Sequence, residues 1–64
     1  MEAYQLRVIE EKKELDAKIK SLENFLKLEI FVKIEKSEQS RLKSQLNIMR
    51  EYATILHQRI INFK

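Results

Sequence analysis

The sequence predicts an all-α fold, an antiparallel two-helix hairpin whose copies assemble into a homo-oligomeric helical bundle. Three observations carry that prediction. Glycine and proline are both absent, so tight turns and β-hairpins lack the positive-φ and fixed-φ residues on which they rely. Apolar residues recur at helical spacing along both halves of the chain. Its length of 64 residues lies below the roughly 70–80 at which one small core usually suffices without support. No cysteine is present, which removes disulfides and thiolate metal sites, and one histidine, His57, does not build an imidazole site. Self-association is the remaining support.

The first helix is predicted over about residues 3–27. Val8, Leu15, Ile19, Leu22 and Leu26 fall on one stripe that Lys12 interrupts, with Tyr4 and Phe25 alongside. Glu14 with Lys18, Asp16 with Lys20 and Glu23 with Lys27 stand four apart and are expected to pair on the outer face. The stretch LEIFVKIEK, residues 28–36, is rich in β-branched side chains and breaks the stripe. A turn is therefore expected over about residues 28–37, with Phe31 and Ile34 covering the hydrophobic end. With no helix breaker present, one continuous helix is the alternative.

The second helix is predicted over about residues 38–62, with Ser37 as its N-cap and Glu38 placed favourably in the helix dipole. Leu42, Leu46, Met49, Ala53, Leu56, Ile60 and Phe63 alternate spacings of four and three, the seam of a heptad pattern. A second row, Ile48, Tyr52 and Ile55, continues one flank of the seam and ends at Arg59. This apolar surface is wider than one neighbouring helix covers, and in a single domain spanning residues 1–64 the further helices must come from other copies. The expected oligomer interface comprises Leu42, Leu46, Ile48, Met49, Ile55, Leu56, Ile60 and Phe63.

Charge and motif content exclude several functions. Met1 to Glu14 carries alternating charges and no basic-then-apolar start, and no uncharged run approaches the roughly 18–20 residues of a membrane span, so a cytoplasmic protein is expected. The formal net charge of +3 is uneven, about −1 over residues 1–31 and about +4 over residues 32–64. Arg41, Lys43 and Arg50 are diluted by Glu38 and Glu51, and no recognition-helix spacing is present, so nucleic acid is not the expected partner. Catalysis has no visible equipment. Glu10, Glu11 and Glu14 read as a solvated helix face, Ser40 and Ser44 lack a neighbouring base, and no glycine loop exists to cradle a phosphate. Neither an enzymatic activity, a metal nor a cofactor is expected.

A hairpin folded about residues 33–34 sets position i near position 67 − i. Tyr4, Arg7, Glu11, Tyr52 and Arg59 then gather at the end that holds both termini. Guanidinium forks match phosphate oxygens bidentately, and tyrosine rings offer a face or a hydroxyl to a base or sugar. The group therefore suits a small anionic, aromatic ligand. The ordinary alternative is that Arg7 and Glu11, four apart on one helix, simply pair with each other.

The segments YQLRVIEEKKEL near the start and MREYATILHQRI near the end, with Phe31 and Gln45 between them, resemble a family of small helical-hairpin phage proteins related to those of crAss-phages. The resemblance runs from Tyr4 to Phe63, and its matching positions include Tyr4, Arg7, Val8, Glu11, Leu15, Met49, Tyr52 and Arg59. It implies a phage accessory protein acting inside a bacterial cell. The chain is also similar in size and build to small oligomeric phage proteins that act as sponges for nucleotide signals of host immunity. By that analogy the expected ligand is nucleotide-derived, with Arg7 and Arg59 on phosphate, Tyr4 and Tyr52 on base or ribose, and Glu11 steadying an arginine or a ribose hydroxyl. The alternatives are an adaptor that docks Ile48, Tyr52 and Ile55 on a host protein, and a small DNA-associated regulator.

Overall fold

The computed structural model describes residues 1–64 as α1 (Ala3–Leu26), a 3₁₀ segment (Glu29–Lys33) and α2 (Lys36–Ile61). The two helices pack side by side in a hairpin measuring 47 × 15 × 14 Å. The chain reverses, so the continuous-helix alternative does not hold.

Glu2, in extended conformation (φ −72°, ψ 154°), precedes α1, and its backbone N–H donates to Oε1 of Gln5 at 2.8 Å. That bond satisfies a donor the helix start would otherwise leave orphaned, and Gln5 is buried while making it. The helix ends where Leu28 turns extended (φ −77°, ψ 150°). Ile34 (φ −78°, ψ 149°) and Glu35 (φ −51°, ψ 138°) do the same on the far side of the 3₁₀ segment. The reversal is thus one tight helical turn bracketed by extended residues, and no residue of the chain has positive φ. This is how a sequence without glycine turns: Leu28, Ile34 and Glu35 make the bends in extended geometry, which any side chain adopts, and only left-handed geometry would have demanded glycine.

Because Ile34 and Glu35 are already extended, the helical phase of α2 begins two residues before the expected position. The amide of Gln39 donates to the Glu35 carbonyl at 3.0 Å, which makes Glu35 the cap. Ser37, expected as the N-cap, lies inside the first turn and donates its hydroxyl to the Glu35 carboxylate instead. Gln39 locks the arrangement: its side-chain amide, buried, donates to the Ile34 carbonyl at 2.7 Å. Phe31 points inward and meets Phe25 edge to face at 6.2 Å, with Lys43 Nζ 5.8 Å from its ring centroid.

The core is small. Only 7 of 64 residues are buried, and Val8, Leu15 and Leu56 form its centre, so single side chains weigh heavily in stability. Ile19, Met49, Ala53, Ile60 and Phe63 pack around it. The expected interface residues therefore divide. Leu46 and Leu56 are closed inside the hairpin, Leu42 is half-buried, and Met49, Ile60 and Phe63 pack on the chain's own core. These six are wholly or partly covered by the chain itself, because the heptad seam finds its partner within the hairpin. Ile48 and Ile55 alone of that set stay exposed.

The charge pairs also differ from the expected ones. Asp16 pairs with Lys12 at 2.7 Å, not with Lys20, which explains how Lys12 sits half-buried in an apolar stripe. Glu23 pairs across the helices with Arg50 at 2.6 Å, not with Lys27, and no ion pair joins Glu14 to Lys18. The hydrogen bond from Arg50 holds the Glu23 carboxyl below its ordinary value, partial desolvation opposes this, and the charges of Arg50, Lys27 and Lys20 add to the lowering. A folded value below the unfolded one means that the bridge stabilises above the ordinary glutamate range. That contribution is lost as pH falls through the lowered value. Thermal melts from neutrality into the acid range are expected to show this loss in the wild type and to lack its Glu23 share in Glu23→Gln. Parallel curves for the two proteins would mean that the bridge is energetically silent.

Candidate functional site

One side of the hairpin holds a shallow groove lined by Ala17, Lys18, Ser21 and Leu22 of α1 and by Gln45 and Met49 of α2. The opposite side is lined by Glu23, Leu26, Lys27, Leu46 and Arg50. These two linings fix which rows of each helix share a face. On α1, Arg7, Glu11, Glu14, Lys18 and Ser21 are spaced four and three apart, so Arg7 and Glu11 lie on the Lys18 side. On α2, Gln45, Ile48, Tyr52, Ile55 and Arg59 are spaced three and four apart, so Tyr52 and Arg59 lie on the Gln45 side. All four thus share one face of the hairpin, which runs from the groove toward the end with both termini.

Tyr4 anchors that end. Its ring meets Phe63 edge to face at 5.9 Å, the pairing anticipated by a reversal near residues 33–34. Half of Tyr4 remains exposed (50%), and Tyr52 is similar at 43%. Each therefore keeps part of its ring surface open to a ligand. Arg7 and Arg59 are exposed, and Glu11 is half-buried.

No ion pair joins Arg7 to Glu11, although their spacing allows one. Nor do the side chains of Tyr4, Arg7, Glu11, Tyr52 and Arg59 hydrogen-bond to one another or to any other part of the chain. The five residues share a surface without being tied into a network, and both guanidinium forks retain all five donors. Such a surface can accept a phosphate or carboxylate at the arginines and a flat ring at the tyrosines.

A model of the Sequestin family matches residues 2–62. The chain belongs to the Sequestin family. This Sequestin chain is also 44% identical, over 64 residues and the full length of both proteins, to an uncharacterized 7.5 kDa protein of the denB–rIIB intergenic region of Enterobacteria phage T4. No solved structure matches it. The matches thus support a small phage protein family, and neither carries a link to crAss-phages.

Several features of the Sequestin chain were not legible in the residue pattern. The Glu23–Arg50 bridge spans 27 positions, and no local spacing marks it. At the turn, Leu28, Ile30 and Val32 are exposed at 54%, 56% and 70%, since the 3₁₀ segment turns only Phe31 of that run inward. Two of the candidate ligand residues lie beside a second shallow surface on α2 itself, formed by Ile48, Glu51, Tyr52, Thr54 and Ile55: Tyr52 lines it, and Arg59 follows one turn beyond Ile55. No helix is long and apolar enough to cross a membrane.

Proposed function

We propose that this chain is a phage accessory protein that binds without catalysis, a homo-oligomer in the host cytoplasm that sequesters a small nucleotide-derived signal of host immunity. The family's name speaks of sequestering. The observation that carries the ligand class is the pair Arg7 and Arg59, exposed, without an internal carboxylate, and on one face with the half-exposed Tyr4 and Tyr52. Arginines left unpaired beside aromatic rings suit an anionic ring compound far better than a neutral one.

In this reading Arg7 and Arg59 hold phosphate oxygens, and Tyr4 and Tyr52 contact base or ribose. Glu11, on the same face as Arg7, steadies a guanidinium or accepts from a ribose hydroxyl. A sequestering protein needs affinity and abundance, not turnover, and a chain this small makes many copies cheaply. No cofactor is required.

Titration calorimetry of the full chain against cyclic nucleotides and ADP-ribose compounds tests the proposal. Saturable binding of at least one of these, with the nucleotide recovered intact, is expected. Failure of the whole panel to bind at micromolar protein would sink the ligand reading. The exposure of Ile48, Tyr52 and Ile55 (63%, 43% and 52%) favours a second reading, an adaptor that docks this row on a host protein. That reading predicts no response to any nucleotide.

A further inference from the structure

Ile55 stands in the middle of an unusual local arrangement on α2. Glu51 lies one turn before it and Arg59 one turn after it, and all three are exposed. The chain forms three ion pairs elsewhere, yet neither Glu51 nor Arg59 belongs to one. Ile48 and Tyr52 extend the same open surface along the helix.

Total area gives an independent reason to expect a cover. The chain exposes 5144 Å². A compact monomer of its 7.8 kDa mass exposes about 4,400 Å². The excess is comparable with the about 800 Å² that each partner buries in a standard-size interface.

We infer that two copies pair α2 against α2, antiparallel, about a two-fold axis at Ile55. This rests on the self-association proposed above and deepens it by assigning its geometry. In an antiparallel pair, residues equally far before and after the axis face each other. Ile55 then meets the partner's Ile55, Glu51 meets the partner's Arg59, and Arg59 meets the partner's Glu51. Two-fold symmetry makes the ion pair twice from one pair of residues.

The same charges forbid the parallel alternative. There Glu51 would face the partner's Glu51 and Arg59 the partner's Arg59, two repulsions in place of two attractions. The order acid, apolar, base along one ridge therefore specifies direction as well as position. Two hairpins joined in this way form a four-helix unit, in which Ile48 is covered beside the axis and Tyr52 stays at its rim, open to the ligand face.

The pairing also completes the ligand face. The partner's Glu51 reaches the guanidinium of Arg59, accepts from one edge of the fork and leaves the remaining donors for phosphate. Each binding face then depends on a residue supplied by the other copy.

Sedimentation of the full chain without ligand provides the test, with far-UV circular dichroism to verify that each variant remains helical. The wild type is expected to sediment as a dimer or a multiple of one. Arg59→Glu and Glu51→Arg should each weaken association by roughly tenfold or more, since each turns two attractions into two repulsions. The double variant, Glu51→Arg with Arg59→Glu, should recover the wild-type state. A monomeric wild type at micromolar concentration overturns the pairing, as does docking of a host protein on this ridge in place of a second copy. A dimer indifferent to both single reversals, or a helical double variant that stays monomeric, overturns the geometry while leaving self-association standing. Calorimetry separates this from the ligand reading, because a monomer that binds nucleotide rejects only the pairing and a charge-swappable dimer that binds none rejects only the ligand.

Discussion

Leu56→Ala is expected to leave most of the protein unfolded at ambient temperature. Leu56 is the one fully buried side chain, and it lies against Val8 and Leu15 at the centre of the core. Truncating a buried leucine costs about 2–5 kcal/mol, from lost burial and from the cavity left behind. A single core in a chain of this size supplies only about 3–5 kcal/mol, so the loss approaches the whole. Far-UV circular dichroism should therefore show a collapse of the helical signal or a melting point lower by well over ten degrees, given about 4–8 °C per kcal/mol for small domains. Leu6→Ala is the control: Leu6 is 56% exposed, and its truncation should shift stability by no more than about 0.5 kcal/mol. If Leu56→Ala melts within two or three degrees of the wild type, the hairpin core is not what holds the molecule together.

Arg7→Ala should leave the fold intact and weaken nucleotide binding about tenfold to a hundredfold. Arg7 is exposed and has no ion-pair partner in the chain, so its removal costs the folded state little. A hydrogen-bonded charge on phosphate is worth about 1.5–3 kcal/mol, which sets the size of the binding loss. Arg7→Lys should fall between the two, because a lysine keeps the charge but loses the planar fork. Calorimetry on the nucleotide that gave the strongest wild-type response reads all three proteins. Equal affinities for wild type and Arg7→Ala would remove Arg7 from the site and shift attention to α2 alone.

Much of the hairpin is written in periodicity, because the α1 and α2 stripes each face a long, regular neighbour. Val8, Leu15 and Leu56 were legible for that reason. The turn was harder to read. Ser37 has the chemistry of a cap, but cap position follows from where the backbone ceases to be extended, and that was decided upstream at Ile34 and Glu35. The pairing of Glu23 with Arg50 was invisible for a related reason. Spacing reveals neighbours on one helix, whereas this bridge depends on the rotation of one helix against the other. The candidate site was legible as a set of residues sharing a face, since that needs only helical spacing and the fold-back. That Arg7 declines its neighbour Glu11 belongs to rotamers and local surroundings, which spacing does not encode.

The handedness of the turn has a consequence for how the molecule can vary. Every residue from Leu28 to Glu35 occupies a conformation open to any L-amino acid other than proline, since none has positive φ. Stereochemistry therefore imposes no other veto on mutation there. What specifies the bend is the aromatic plug of Phe31 and the amide clasp of Gln39, and the exposed Leu28, Ile30 and Val32 between and around them are open to drift. Side chains of other length and polarity are therefore expected to be tolerated at the tip of the hairpin, whereas at the opposite end the edge-to-face contact of Tyr4 with Phe63 ties the two termini together.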